Sequence, residues 1–391
     1  MSFNRVIERP SKSFFLLGPR GTGKSTWLKT LNFNLTIDLL NTRERLAYLQ
    51  DPGILRERTS GLIEGDWVLI DEVQKVPELL DEVHSIYESK KINFALSGSS
   101  ARKLKRSGVN LLAGRAINRK MFPLIQSEYG KNTFEINNLI DWGTLPLIID
   151  NWQHRQDTLS TYVDNYLRQE LIEEGIIRKI EPFARFLSAA GKLNGQILNV
   201  ENVARDAKVK RPTVDKYFEV LYDTLIGFKL PAYQPNIRIN ESAHPKFYFF
   251  DSGVARAAAG YTYEELDQSY RGFLFETMLL NEVRAYNEYA NKHRDLFYYG
   301  VRGAGDIDLI VQLAKKTKSA PDKIVAIEFK LGSSWRSEWA KSLDLLNTEQ
   351  KQTVVARSIL VYTGTRMEQH GNVQVVPIRD FLDQLHRGEI F

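Results

Sequence analysis

The chain has no cysteine. That removes disulfides and thiolate metal sites from consideration and fits a reducing, cytoplasmic setting. No apolar run approaches the roughly 20 residues needed to span a bilayer, so no membrane partner is expected. Residues 1–10 lack the apolar core of a secretory leader. The six histidines, His84, His154, His244, His293, His370 and His386, are widely separated and form no paired metal-ligand spacing. A Gly-x-Ser-x-Gly elbow is missing, as are internal repeats and long heptad patterns. An excess of one charge is lacking too. Fifty-three basic residues face 48 acidic ones, for a net charge of +5 and a pI of about 9.0. This permits contact with nucleic acid without requiring it. A composition of 43% hydrophobic and 26% charged residues is that of a globular protein. At 391 residues the chain is long for one core, and two or three units are expected.

The rest of the chain is organised around residues 13–26. Phe14 to Leu17 is a short apolar run that reads as a buried parallel strand, and it ends at Gly18. Gly18, Pro19, Arg20, Gly21, Thr22, Gly23, Lys24 and Ser25 then match G-x-x-x-x-G-K-[ST], with a helix predicted from Thr26 to Leu31. Glycine lets the backbone wrap a phosphate with no Cβ in the way. The loop N–H groups and the start of the helix face the anion. In this pattern Lys24 reaches the β- and γ-phosphates of ATP, and the Ser25 hydroxyl serves as a Mg²⁺ ligand. Residues 18–26 are therefore the nucleotide-binding expectation.

A strand is predicted from Leu35 to Leu39, and a helix from Arg43 to Leu49 that stops near Asp51-Pro52-Gly53. Trp67 to Ile70 is another apolar strand, and Asp71 and Glu72 follow at its C-terminal edge, where open α/β sheets bind ligands. Asp71 is expected to hold Mg²⁺, and Glu72 to orient and deprotonate the attacking water. A fourth strand, Ile92 to Leu96, runs into Ser97-Gly98-Ser99-Ser100, whose hydroxyls are candidates for contact with the γ-phosphate or the water. Arg102, Lys103, Lys105 and Arg106 read as a solvated basic face. Arg115 is a candidate for neutralising transition-state charge, in cis or from a neighbouring subunit.

Taken together, Gly18 to Ser25, Val68 to Glu72, Ser97 to Ser100, Leu112 to Arg115, and Phe122-Pro123-Leu124 with Glu128 resemble the AAA-type ATPases of the DUF4143 family. The resemblance covers nearly the whole chain. It implies an AAA+-type ATPase domain, with Ser97 to Ser99 at the sensor position and Arg115 as arginine finger or sensor.

Asp157 to Ile177 reads as a connecting helix, with Tyr162, Tyr166 and Leu167 at helical spacing and Arg168, Glu170, Glu173 and Glu174 on a charged face. Phe183, Phe186 and Leu187 mark an amphipathic helix. A short helix, Val200 to Ala207, follows Asn199. A turn at residues 208–211 and Pro212 then start a helix with Val214, Tyr217, Phe218 and Leu221 on one face. This is a helix-turn-helix pattern, with Gly227 to Leu230 and Lys246 to Phe250 as its wing. The second helix would expose Thr213, Asp215, Lys216 and Glu219. Its two acids disfavour phosphates, whereas Lys208, Lys210 and Arg211 favour them. DNA or RNA contact and a protein-docking role are both open readings. The resemblance extends here through Gln196 to Leu198, Arg211 to Val214 and Phe249 to Gly253.

In the last third, a helix from Phe273 to Ala285 carries Glu276, and Leu296 to Tyr299 is a strand. Gly303 and Gly305 turn the chain into Asp306-Ile307-Asp308-Leu309-Ile310-Val311. Lys323 to Lys330 is the next strand. Alternation puts Asp306 and Asp308 opposite Ile307, Leu309 and Val311, and Glu328 and Lys330 opposite Ile327 and Phe329. Helix Glu, strand Asp and Glu-x-Lys in this order resemble the PD-(D/E)XK nuclease core. Asp308 and Glu328, helped by Glu276, would hold Mg²⁺ through oxygen, and Lys330 would position or activate its water. Asp306 departs from the glutamate that the resemblance leads one to expect there. Ser358 to Gly364 and Val373 to Val376 add strands, and Pro377 to Leu385 a closing helix, enough for a core of its own.

The expected architecture is α/β throughout its ends. It comprises a P-loop AAA+-type ATPase domain over 1–150, a connecting helix with a winged helix-turn-helix over 151–255, and a restriction-endonuclease-like α/β domain over 256–391. The expected function is Mg²⁺-dependent ATP binding and hydrolysis coupled to a nuclease-like domain acting on nucleic acid. The alternative is an ATP-driven switch whose last domain binds protein or nucleic acid without cleaving. A homo-oligomer or a partner protein is compatible with either.

Overall fold

A computed structural model describes residues 3–99, 115–130, 135–167, 180–234, 244–301, 305–349 and 353–391. Ser100, the basic cluster Arg102 to Arg106, Leu112 to Gly114, Arg168 to Glu174 and Gly303 lie outside the described residues. Among the described residues no helix is long and apolar enough to cross a membrane.

The apolar run Phe14–Leu17 forms β1, an inner strand of a parallel sheet with β2 (Leu35–Asp38), β3 (Trp67–Asp71), β4 (Asn93–Gly98) and β5 (Ile117–Lys120), in the order β2-β3-β4-β1-β5. A parallel sheet needs both faces covered, and alternation in β1 supplies both. Phe15 and Leu17 pack with Ile37, Val68, Ile70, Phe94 and Leu96. Phe14 and Leu16 pack on the other side with Trp27, Leu28, Trp67 and Leu69. Because β4 lies between β1 and β3, the C-terminal ends of all three meet at one edge of the sheet.

The predicted connecting helix is interrupted. An α-helix runs from Arg155–Thr161, and Tyr162–Leu167 winds as a π-helix. The i→i+5 bonding of that stretch departs from the regular α-helix expected there. Downstream, helices Ile180–Lys192, Val200–Ala207 and Arg211–Asp223 pack against a small antiparallel sheet of β6 (Gln196–Ile197), β7 (Gly227–Leu230) and β8 (Lys246–Phe249), in the order β6-β8-β7. The turn between the last two helices passes through Lys208 in a left-handed conformation, φ +53°. The second helix begins at Arg211, one residue before Pro212. Phe183, Phe186, Tyr217, Phe218 and Phe247 form its aromatic core, with ring centroids about 5 Å apart.

The last third is a mixed sheet of β9 (Asp295–Val301), β10 (Gly305–Ala314), β11 (Asp322–Lys330), β12 (Thr353–Tyr362), β13 (Glu368–His370) and β14 (Val373–Pro377), in the order β13-β14-β12-β11-β10-β9. Helix Lys341–Glu349 covers one face. The long helix Gln268–Tyr289 and the closing helix Ile378–His386 cover the other. That second face is not a private core, contrary to expectation. Leu309, Val311, Val325 and Ile327 share one continuous cluster with Leu274 and Phe275 and with the middle unit's Phe186, Phe218 and Phe249. The alternation expected for β10 also fails. A bulge between Ile307 and Ile310 puts Ile307 with Ile310, Ile324 and Ala326, and puts Leu309 and Val311 on the opposite face. An inserted residue flips the side-chain phase of a strand. The middle sheet is joined to this one. Tyr233 N donates to Tyr298 O at 2.7 Å, and Tyr298 N to Pro231 O at 3.0 Å, so residues 231–233 line the β9 edge.

Candidate functional site

At the end of β1 the chain turns through the glycine-rich loop into helix Lys24–Leu28. Gly18 has no room for a side chain, since a Cβ there would stand 2.5 Å from Met121 O. Gly21 and Gly23 have φ +83° and +90°, which an L side chain resists. The buried Lys24 folds back over the loop and donates to Gly18 O at 2.6 Å and Pro19 O at 3.1 Å. Thr22 Oγ1 closes the turn onto Pro19 O at 2.8 Å. Arg20 is exposed, Ser25 half-buried and Thr26 exposed at the loop exit.

The neighbouring strand ends carry the polar group. Ser97 Oγ donates to Asp71 Oδ1 and accepts from Glu72 N at 3.3 Å. Glu72 takes a left-handed φ of +60° just beyond β3. Its Oε2 accepts from Gln74 Nε2 at 2.6 Å, and the same Nε2 reaches Ser99 Oγ at 3.2 Å. The fold thus brings Asp71, Glu72, Ser97 and Ser99 together, and adds Gln74, which sequence reasoning passed over. Arg115 stands elsewhere. It precedes β5, whose first residue pairs with Phe14 at the start of β1, and it forms a salt bridge with Glu88. It therefore lies at the sheet edge opposite the loop that follows Leu17. Beside the loop a cavity of about 190 Å³ is lined by Phe3, Asn4, Gly23, Thr26, Pro146 and Asp150, among others.

Arg5 is another residue the sequence did not single out. It donates to Thr22 O at 2.8 Å, Phe122 O at 2.7 Å, Tyr289 Oη at 3.1 Å and Glu128 Oε1 at 3.0 Å. The Arg5–Glu128 pair is buried, with side chains 4% and 0% exposed. It ties the phosphate loop to the end of the long helix Gln268–Tyr289.

The second polar cluster lies on the C-terminal sheet. Lys330 pairs with Glu328, whose other oxygen, Oε2, is buried without a hydrogen-bond partner. Asp308 Oδ2 accepts from Phe329 N at 2.8 Å. Glu276 accepts from Tyr248 Oη at 3.0 Å. Burial, then the neighbouring Asp308 carboxylate, push both Glu276 and Glu328 above the usual carboxylate range. Lys246, from β8 of the middle sheet, places its Nζ 3.5 Å from Asp306 Oδ2 and 3.7 Å from Asp308 Oδ1. The sequence pattern Lys246-Phe247-Tyr248-Phe249 carried a signal: alternation puts Lys246 and Tyr248 on one side of β8. It did not reveal that this side would meet the acids of the third unit. The donor set does not fit a divalent metal as it stands, because a protein ammonium already lies between two of the carboxylates. Among the described residues no three histidine, aspartate or glutamate side chains are grouped to hold a metal ion.

Three family models match the chain. Residues 10–130 match an AAA domain, residues 133–265 a domain of unknown function, DUF8612, and residues 271–381 a domain of unknown function, DUF4143. An uncharacterized protein of Mycobacterium tuberculosis (strain ATCC 25618 / H37Rv) is 24% identical over 313 residues, which is 76% of this chain and 67% of that protein. An uncharacterized protein of Haemophilus influenzae is 22% identical over 223 residues, 53% of this chain and 56% of that protein. Among solved structures, the Aeropyrum pernix ORC1 protein in complex with DNA overlaps 65% of this chain and 87% of its own, at 13% identity and a TM-score of 0.23. A likeness that low carries no argument. The family matches support an AAA-type ATPase region with a DUF4143 region after it.

Proposed function

We propose that this protein is a Mg²⁺-dependent, ATP-hydrolysing switch whose nuclease-like C-terminal domain serves as a binding module. One observation carries the ATPase half: the phosphate loop and the Asp71–Glu72–Ser97–Ser99 group share one sheet edge. On ATP binding, Lys24 leaves the Gly18 and Pro19 carbonyls for the β- and γ-phosphates, and the loop N–H groups cradle them. The oxygen donors fit Mg²⁺: the Ser25 hydroxyl and the Asp71 carboxylate, oriented by Ser97, would hold it. The ion offsets phosphate charge when bound. Glu72 orients and deprotonates the attacking water, and Ser97 and Ser99 read the γ-phosphate. Phe3, Asn4 and Asp150 receive the base in the adjacent cavity. Arg115, on the far edge from its own loop, acts only across a subunit boundary.

The units are read as an ATPase domain over 1–150, a winged helix-turn-helix over 151–255 and a nuclease-like domain over 256–391. The winged helix contacts DNA, RNA or a partner protein through the turn bearing Lys208 and Lys210. The lysine between Asp306 and Asp308 favours a non-cleaving module over a metal nuclease, in which Glu276, Asp308, Glu328 and Lys330 would be catalytic.

The test combines phosphate release and strand cleavage on single- and double-stranded DNA and RNA, for wild type, Lys24→Ala and Lys330→Ala. Phosphate release lost only in Lys24→Ala, with no strand cut, is expected. Cleavage abolished by Lys330→Ala would restore the nuclease reading. Phosphate release that survives Lys24→Ala would remove the ATPase one.

A further inference from the structure

We propose that Lys246 is the resident cation of the C-terminal carboxylate cluster and that its ammonium keeps the cluster closed to divalent metal. This rests on reading the C-terminal domain as nuclease-like.

Four carboxylates, Glu276, Asp308, Asp306 and Glu328, act on the Lys246 charge, and Lys330 answers only part of theirs. Lysine is a compact point charge on a flexible stem, suited to sit among several acids without a fixed fork. The Lys246 side chain is 7% exposed, and its Nζ lies 3.5 and 3.7 Å from two aspartates, near the ring of Tyr298 at 5.3 Å. Burial opposes its charge, but the acids, Glu276 and Asp308 foremost, outweigh that and hold it above an ordinary lysine. Tyr248, two residues on along β8, donates to Glu276. One strand of the middle sheet thus serves the cluster twice.

A second observation points to a cation. Glu328 Oε2 is buried with no hydrogen-bond partner, in a residue 3% exposed. Such an oxygen is costly to leave bare and is the donor a hard divalent ion takes. The hairpin is fastened beside the site. Tyr298 Oη donates to His244 O at 2.5 Å, and Tyr233 Oη donates to Asp322. Without the Lys246 charge the carboxylates face one ammonium, Lys330, an arrangement that attracts a divalent ion.

The experiment is Mn²⁺ titration of the nucleotide-free full chain, followed by the electron paramagnetic resonance of free Mn²⁺. Wild type, Asp308→Asn, Lys246→Met and the double variant are compared, with thermal unfolding run on each. Wild type and Asp308→Asn should give the same isotherm. Lys246→Met should gain one equivalent, lost again in the double variant. A wild-type site that Asp308→Asn removes would overturn the proposal, and so would a folded Lys246→Met with no added site. The first comparison needs no lysine variant, so it decides even where Lys246→Met misfolds. Supercoiled plasmid in the same samples separates this proposal from the non-cleaving reading. Mn²⁺ bound at Asp308 without nicking overturns only the closure, whereas nicking by the wild type overturns both.

Discussion

Replacing Arg5 by alanine tests how the phosphate loop is held to the rest of the molecule. Arg5 and Glu128 are 4% and 0% exposed, and removing one partner of such a pair costs about 3–5 kcal/mol because the other charge stays buried. Glu128 keeps bonds from Val6 N at 2.9 Å and Ile125 N at 3.2 Å, which puts the cost near the lower figure, about 3 kcal/mol. The carbonyls of Thr22 and Phe122 also lose their donor. For a unit of this size, roughly 2–4 °C per kcal/mol gives a fall of about 6–12 °C in the thermal transition. The loss should depend on pH. Burial already raises the Glu128 carboxyl, and Arg5 is the largest opposing influence. Without Arg5 the folded carboxyl rises further above its unfolded value and binds a proton that the unfolded chain does not. Stability of the variant then falls as pH rises through that range, so the penalty is smaller at pH 5 than at pH 8. Glu128→Gln in the Arg5→Ala background removes the stranded charge and should recover part of the loss. Differential scanning fluorimetry at the two pH values reads all of this. A transition within 2 °C of wild type, or a double variant that loses the sum of the single losses, would refute the reasoning.

Other substitutions address the loop, the base and the hairpin. Gly18→Ala sets a Cβ 2.5 Å from a backbone oxygen and should cost about 1–3 kcal/mol and weaken ATP binding. Gly21→Ala has space, with its nearest neighbour at 3.5 Å, but sits at φ +83°, and should cost about 1–2 kcal/mol; an unchanged melting transition for Gly18→Ala would contradict the packing described. Phe3→Ala should weaken a fluorescent ATP analogue roughly five-fold, the scale of one aromatic contact, and an unchanged affinity would move the base out of that cavity. Tyr233→Phe removes the hydroxyl bonded to Asp322 and should cost about 1–2 kcal/mol by urea unfolding, with no loss sinking the idea that this tyrosine fastens the hairpin.

Local chemistry was legible wherever the chain itself carries it. Phe14 to Gly18 and the loop to Ser25 announce a strand, a turn and a helix, because spacing and glycine conformation are local properties. Helix Val200–Ala207 was legible to its ends, since Asn199 caps it and Lys208 ends it. The bulge in β10 was not, because Asp306 to Leu309 alternates, the apolar run Leu309 to Val311 does not mark a face, and only pairing with β9 requires the extra residue. Arg5, Gln74 and Lys246 were passed over for a related reason. Each is an ordinary polar residue whose role depends on groups far away in the chain: Tyr289, Ser99 and Asp308. Arg115 shows the converse, for its motif was visible but its edge of the sheet depended on where β5 pairs.

The ATPase reading meets its most direct test in steady-state phosphate release by wild type and Glu72→Gln with Mg²⁺ and ATP, with nucleotide binding measured on the same samples. Glu72 lies beside Asp71 and Ser97 at the edge that holds the phosphate loop. Its amide replacement should bind ATP as wild type does and lose at least a hundred-fold in turnover, the scale of a general base. Turnover that survives Glu72→Gln, or a wild type that binds no ATP, would contradict the account.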